Sequence, residues 1–124
     1  MNSGIAAGRD TGGLFAAIDA RDGAGFVSYL TEDAAFRFGS APPVLGRDAI
    51  QAAVDGFFTS IAGCSHNISS TLSQDNKLVC EGDVTYTRHD GSEIVLPFVD
   101  VFEYEAGLIA YYKIYIDISP LYAE

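Results

Sequence analysis

The sequence predicts one α+β domain, with helices leading and an antiparallel sheet following. Three observations predict it. Apolar residues recur at helical spacing only in the first half, and four long strand-forming stretches joined by short polar turns fill the second. Helices gathered ahead of an antiparallel sheet pack on one of its faces. The chain has 124 residues, 48% of them hydrophobic and 19% charged, enough for one core without disulfide staples.

Leu14, Ala17 and Ile18 share one face of a first helix, with Asp10 or Thr11 as its cap. Asp22 caps a short second helix containing Phe26, Val27 and Leu30. Residues 34–38 read as a short strand, and residues 39–46, with Pro42 and Pro43, as a loop. Ile50, Ala53, Val54, Phe57 and Ile61 recur at three and four residues and define a third helix, which Gly63 ends. Strands are expected over residues 64–73, 78–88, 94–104 and 108–118, separated by turns at residues 74–77, Asp90-Gly91 and residues 105–107. Pro97 cannot donate to a ladder, which predicts a bulge or an edge there.

The register of the Asp90-Gly91 hairpin follows from side-chain chemistry. A two-residue loop would pair Glu81 with Asp100 and mix charges into an apolar face. A three-residue loop places Leu78, Cys80, Gly82, Val84 and Tyr86 on one face with Ile94, Leu96, Phe98, Asp100 and Phe102. That register is the expected one. Glu81, Asp83, Thr85, Thr87 and His89 then lie on the opposite, more polar face.

Composition excludes several classes of function. Seven basic against seventeen acidic residues give a net charge of -10, which repels nucleic acid and anionic membrane surfaces. No apolar run reaches the ~18 residues of a membrane span, and residues 1–13 lack the apolar core of a secretory signal. Cys64 and Cys80 have no metal-ligand spacing, and the predicted strands hold them too far apart for a disulfide. A cytoplasmic protein with free thiols is expected.

The segments around Asp19 (residues 18–22), Glu32 (29–34) and Asp48 (46–50), with residues 99–102, 107–109 and 115–117, resemble a SnoaL-like protein of the nuclear transport factor 2-like superfamily. The resemblance covers nearly the whole chain. It implies a cystatin-like α+β roll: a cone-shaped curved antiparallel sheet and three N-terminal helices enclosing one apolar pocket. Relatives include isomerases, dehydratases, epoxide hydrolases, polyketide cyclases and binding modules, so fold alone does not name the chemistry. In comparison with ketosteroid isomerases, Asp100 falls where those enzymes hold a protonated aspartate. Their base and their tyrosine fall near Phe38 and Leu14. The catalytic aspartate of limonene epoxide hydrolases falls at Ile114. Scytalone dehydratase is similar at Asp19 and His66, and its second histidine falls at or beside His89, while its tyrosines fall near Ile18 and Phe38.

The residues themselves point to acid/base chemistry. Asp100 alternates with Leu96, Phe98, Phe102 and Tyr104, and a carboxyl on an apolar face has its pKa raised by burial. His66 shares a face with Cys64, Ile68 and Leu72, and imidazole takes up and returns protons near neutral pH. Asp100, His66 and Asp19 are therefore the expected catalytic residues. Phe15, Phe36, Phe38, Phe58, Tyr86, Phe98 and Tyr112 are the expected ligand-binding aromatics. Two histidines without helical metal spacing predict no metal, and no cofactor is expected. The expected function is dehydration, isomerisation or cyclisation of a small hydrophobic cyclic molecule, with a non-catalytic ligand-binding or dimeric interaction module as the alternative. Val79, Val95, Val99, Val101, Ile109, Tyr111 and Tyr115 are expected on the open sheet face, where they predict a homodimer.

Overall fold

The computed structural model describes residues 11–123. Helices α1 (Thr11–Asp19) and α2 (Gly23–Val27) lead into strand β1 (Leu30–Phe38), a short β2 (Val44–Leu45) and helix α3 (Arg47–Thr59). Four long strands follow, β3 (Gly63–Gln74), β4 (Lys77–Thr87), β5 (Glu93–Glu105) and β6 (Leu108–Tyr115), and then a one-turn helix α4 (Ser119–Tyr122). The strands form one curved, open sheet in the order β2-β1-β6-β5-β4-β3. Among the described residues, only β1 and β6 pair in parallel.

Local chemistry sets most boundaries. Asp22 caps α2 by accepting the Gly25 N–H at 3.0 Å. Asp10, the other cap expected for α1, lies outside the described residues, and Thr11 opens that helix. Leu30, expected in α2, instead starts β1, because Arg47 Nε donates to its carbonyl at 2.9 Å and the preceding Tyr29 carbonyl accepts from Ile109. These tertiary bonds override the helical spacing. β6 stops at Tyr115 and not at 118, since Asp117 accepts the Ser119 N–H at 3.0 Å and Pro120 suits a helix start. Arg88 then holds the end of the chain through the carbonyls of Pro120 and Leu121, each at 2.9 Å.

The β4–β5 register is the one the side-chain chemistry selects: Cys80 faces Asp100, Gly82 faces Phe98 and Val84 faces Leu96. Arg88 and Ser92 close the hairpin around a three-residue loop, and Gly91 supplies the positive φ of 89° that the turn requires. Pro97 sits in an unbroken ladder, so no bulge forms there. Its missing N–H points to the side where β6 has already ended, since β5–β6 pairing begins only at Val99 and Tyr115. Pro97 is thus a local edge within an interior strand.

Two real bulges overturn two face assignments. The β3–β4 register shifts between Ile68 and Ser70, where a Cβ on Gly82 would lie 2.0 Å from the Asn67 carbonyl oxygen. The shift turns Leu72 to the outer face, 68% exposed, and away from the side of Cys64 and His66. A second shift between Glu103 and Tyr104 turns Ile109 inward, where it is 1% exposed, so it leaves the outer-face set. A one-residue slip reverses every later side chain. The core lies between the helices and the inner face, around Leu14, Phe26, Leu30, Ile50, Phe102 and Tyr112.

Candidate functional site

Three elements build the site. Asp19 is the last residue of α1, and β3 brings Cys64 and His66 beside it, two residues apart on one face of that strand. Asp19 gathers three donors: its Oδ2 accepts from the His66 backbone N–H at 3.1 Å, and its Oδ1 accepts from His66 Nδ1 at 2.6 Å and lies 3.6 Å from Cys64 Sγ, whose one proton it shares with the Ile18 carbonyl at 3.5 Å. A carboxylate accepts only, so Nδ1 is the donor, and in the neutral ring this leaves the lone pair on Nε2. Phe15 and Phe98 clamp the imidazole, each ring centre 5.2 Å from it. The ring cannot swing away without losing both contacts.

His66 and Cys64 form part of the wall of a cavity of about 150 Å³. Its floor is buried and aromatic, with Phe26, Phe36, Phe58, Tyr86 and Tyr112, and its mouth lies at Ala41, Pro42 and Ala53, all exposed. Of the seven aromatics expected to bind ligand, Phe36, Phe38, Phe58, Tyr86 and Tyr112 line it. Phe15 and Phe98 do not; they stand behind His66 and position it.

Asp100 is on β5, 1% exposed, and is absent from the cavity wall. It reaches the cavity only through Tyr112, whose hydroxyl donates to its Oδ2 at 3.4 Å, while Oδ1 has no hydrogen-bond partner among the described residues. Burial pushes its carboxyl well above the usual carboxylate range, and the Tyr112 bond only partly opposes this. No hydrogen bond or ion pair among the described residues joins Asp100 to His66. β5 places Asp100 behind Tyr112, and α1 supplies the hydrogen-bond partner of His66. His89 is exposed and bonds the Thr59 carbonyl at 2.9 Å, tying the hairpin loop to the end of α3 and standing apart from the cavity.

Cys64 is the site residue that the sequence reading missed, although its position two residues before His66 signals a shared face. Burial and the neighbouring Asp19 push its thiol up to about 12. Both cysteines are free, and Cys80 lies opposite Thr71, far along β3 from Cys64. Asp19, Cys64 and His66 also offer three ligand atoms within 4.8 Å of one another, a set of oxygen, sulfur and nitrogen that suits a borderline-soft cation. The Asp19 oxygen such an ion would need already accepts from both the thiol and the imidazole.

An open curved sheet folded with its helices around one apolar cavity defines the nuclear transport factor 2-like class of α+β proteins. The chain belongs to the SnoaL-like domain family, whose model matches residues 12–112. A nuclear transport factor 2-like protein of unknown function from Burkholderia pseudomallei K96243 is similar over 98% of this chain and 95% of its own, at 20% identity and a TM-score of 0.82. TerC, crystallised with polyporic acid, is similar at 19% identity and a TM-score of 0.77, over 89% of this chain and 90% of its own. An epoxide hydrolase of M. tuberculosis resembling limonene epoxide hydrolase is similar at 14% identity and a TM-score of 0.79, over 95% of this chain and 87% of its own. No curated protein sequence matches the chain. At these identities the likeness establishes the fold alone.

Proposed function

We propose that the protein is a cofactor-independent enzyme that moves a proton within a small hydrophobic cyclic molecule, in an isomerisation, dehydration or cyclisation. The observation that carries this is the 2.6 Å contact between His66 Nδ1 and Asp19, made in the wall of an apolar cavity. Asp19 fixes the tautomer and the orientation of the imidazole. Nε2 then accepts a proton from the bound molecule and returns it at another atom, with the apolar wall strengthening each polar contact. Asp100, held neutral by burial, acts on Tyr112 and is a positioning residue. The epoxide-opening alternative lacks support, since Ile114 lines the wall where an activating aspartate would be needed. The small-molecule reading gains support from TerC, a neighbour crystallised with polyporic acid. Two free thiols fit a reducing, cytoplasmic setting.

The test uses cyclohex-3-en-1-one in deuterium oxide, followed by proton NMR. Conversion to cyclohex-2-en-1-one, in which the proton taken from carbon 2 is replaced by a hydron delivered to carbon 4, is expected above the buffer rate. His66→Gln should lose ~100-fold or more of that activity. A panel of enolisable and hydroxylated monocyclic compounds left unchanged by the wild type would favour a binding module.

A further inference from the structure

We propose that the cavity takes a single six-membered ring carrying one oxygen, and that Tyr86 orients the ring by donating a hydrogen bond to that oxygen. This deepens the proposed function and rests on it only for the claim that the oriented ring is turned over.

Size is the first argument. An apolar cavity of about 150 Å³ accommodates benzene, and this cavity has that volume. Rigidity is the second. Tyr112, Phe36, Phe38, Phe57 and Tyr86 form a chain of edge-to-face contacts along the wall, with successive ring centres 5.2, 6.4, 5.0 and 5.5 Å apart. Each ring is held by the next, so room for a second fused ring inside the aromatic wall, as opposed to out through the mouth, requires breaking several favourable aromatic pairs at once.

The third argument is polar. Two tyrosines line the cavity, and the Tyr112 hydroxyl is already engaged with Asp100. The Tyr86 hydroxyl makes no hydrogen bond to the protein among the described residues, although the side chain is buried. Tyr86 stands directly opposite Cys64 in the β3–β4 ladder, two pairs along from His66 and Val84, which share its face. Burial and the nearby acidic groups keep the phenol protonated far above its ordinary range, so it stays a donor throughout working pH. A hydroxyl on the cavity wall with no protein partner takes one from the ligand, beside the imidazole that handles the proton.

Titration calorimetry with benzene, phenol and 2-naphthol tests this on the wild type and on Tyr86→Phe. Phenol is expected to bind at least tenfold more tightly than 2-naphthol, although the latter is the more hydrophobic. Tyr86→Phe should weaken phenol about fivefold, the weight of one neutral hydrogen bond, and leave benzene within about twofold. Binding of 2-naphthol as tight as phenol overturns the size limit, and this arm needs no variant. An unchanged phenol affinity in a folded Tyr86→Phe overturns the orienting role. Ring-selective binding with no turnover of any cyclic ketone would sink the enzymatic reading while leaving the ligand class standing.

Discussion

Two carboxyls serve one cavity, and they are built in opposite ways. Asp19 ends a helix, is 30% exposed through its side chain, and gathers three donors. Asp100 sits in mid-strand, 1% exposed, with one long hydrogen bond and one oxygen left unpaired. A group surrounded by donors can hold a fixed charge against a histidine. A group stripped of water and partners lowers its free energy by keeping its proton. The difference separates the roles: Asp19 orients the group that transfers protons, and Asp100 supports a tyrosine from behind.

The largest effect that would sharpen this contrast comes from Asp19→Asn. An amide has one acceptor oxygen, and the His66 backbone N–H, always a donor, claims it. The amide NH₂ then faces Nδ1, which must accept, and the ring proton moves to Nε2. Turnover of cyclohex-3-en-1-one should fall by ~100-fold or more with apolar ligand binding retained. A rate near that of the wild type, measured by NMR, would break the assignment.

Next comes Tyr112→Phe, which removes the hydrogen bond that Asp100 receives and should cost ~1–3 kcal/mol in urea unfolding. A neutral result would mean that Asp100 needs no partner. Asp100→Asn should differ from the wild type chiefly in its dependence on pH. Because the folded pKa is raised, the stability Asp100 contributes is full below its unfolded value of ~3.9 and is lost as pH rises through the folded value. The variant cannot ionise, so it should gain on the wild type as pH rises from 5 to 9. Parallel melting curves over that range would contradict the buried, neutral carboxyl.

The smallest expected effects concern the edges of the comparison. With its thiol pushed from 9.0 to about 12, Cys64 should react with iodoacetamide at pH 8 far more slowly than an ordinary thiol, and Asp19→Ala should speed it. Equal rates in both proteins would show that Asp19 does not govern this corner. We also propose that two copies pair through the outer sheet face, which exposes Leu72 (68%), Val95 (59%) and Tyr115 (53%). Light scattering at tens of micromolar should give the dimer mass, and a monomer mass would remove that proposal.

Much of this was legible in the residues. The helical repeat from Ile50, the Asp22 cap and the three-residue loop before Glu93 follow from spacing and charge, because each is decided within a few neighbours. The carboxyl of Asp100 on an apolar face was equally readable. What escaped depends on distant strands. The bulges that expose Leu72 and bury Ile109 are set by backbone fit across the sheet, as at Gly82 against Asn67. The partner of His66 was legible as residue type and not as contact, since 47 positions separate it from Asp19. Cys64 joined the site only once the end of α1 was placed against β3.

The central claim is that Asp19 holds His66 with Nδ1 protonated and Nε2 free toward the cavity. Nitrogen-15 NMR of the imidazole in the wild type and in Asp19→Asn tests it most directly. The neutral wild-type ring should show a protonated Nδ1 and a lone pair on Nε2, and the variant should show the reverse. A wild-type ring protonated at Nε2, or one unaffected by the substitution, would contradict it.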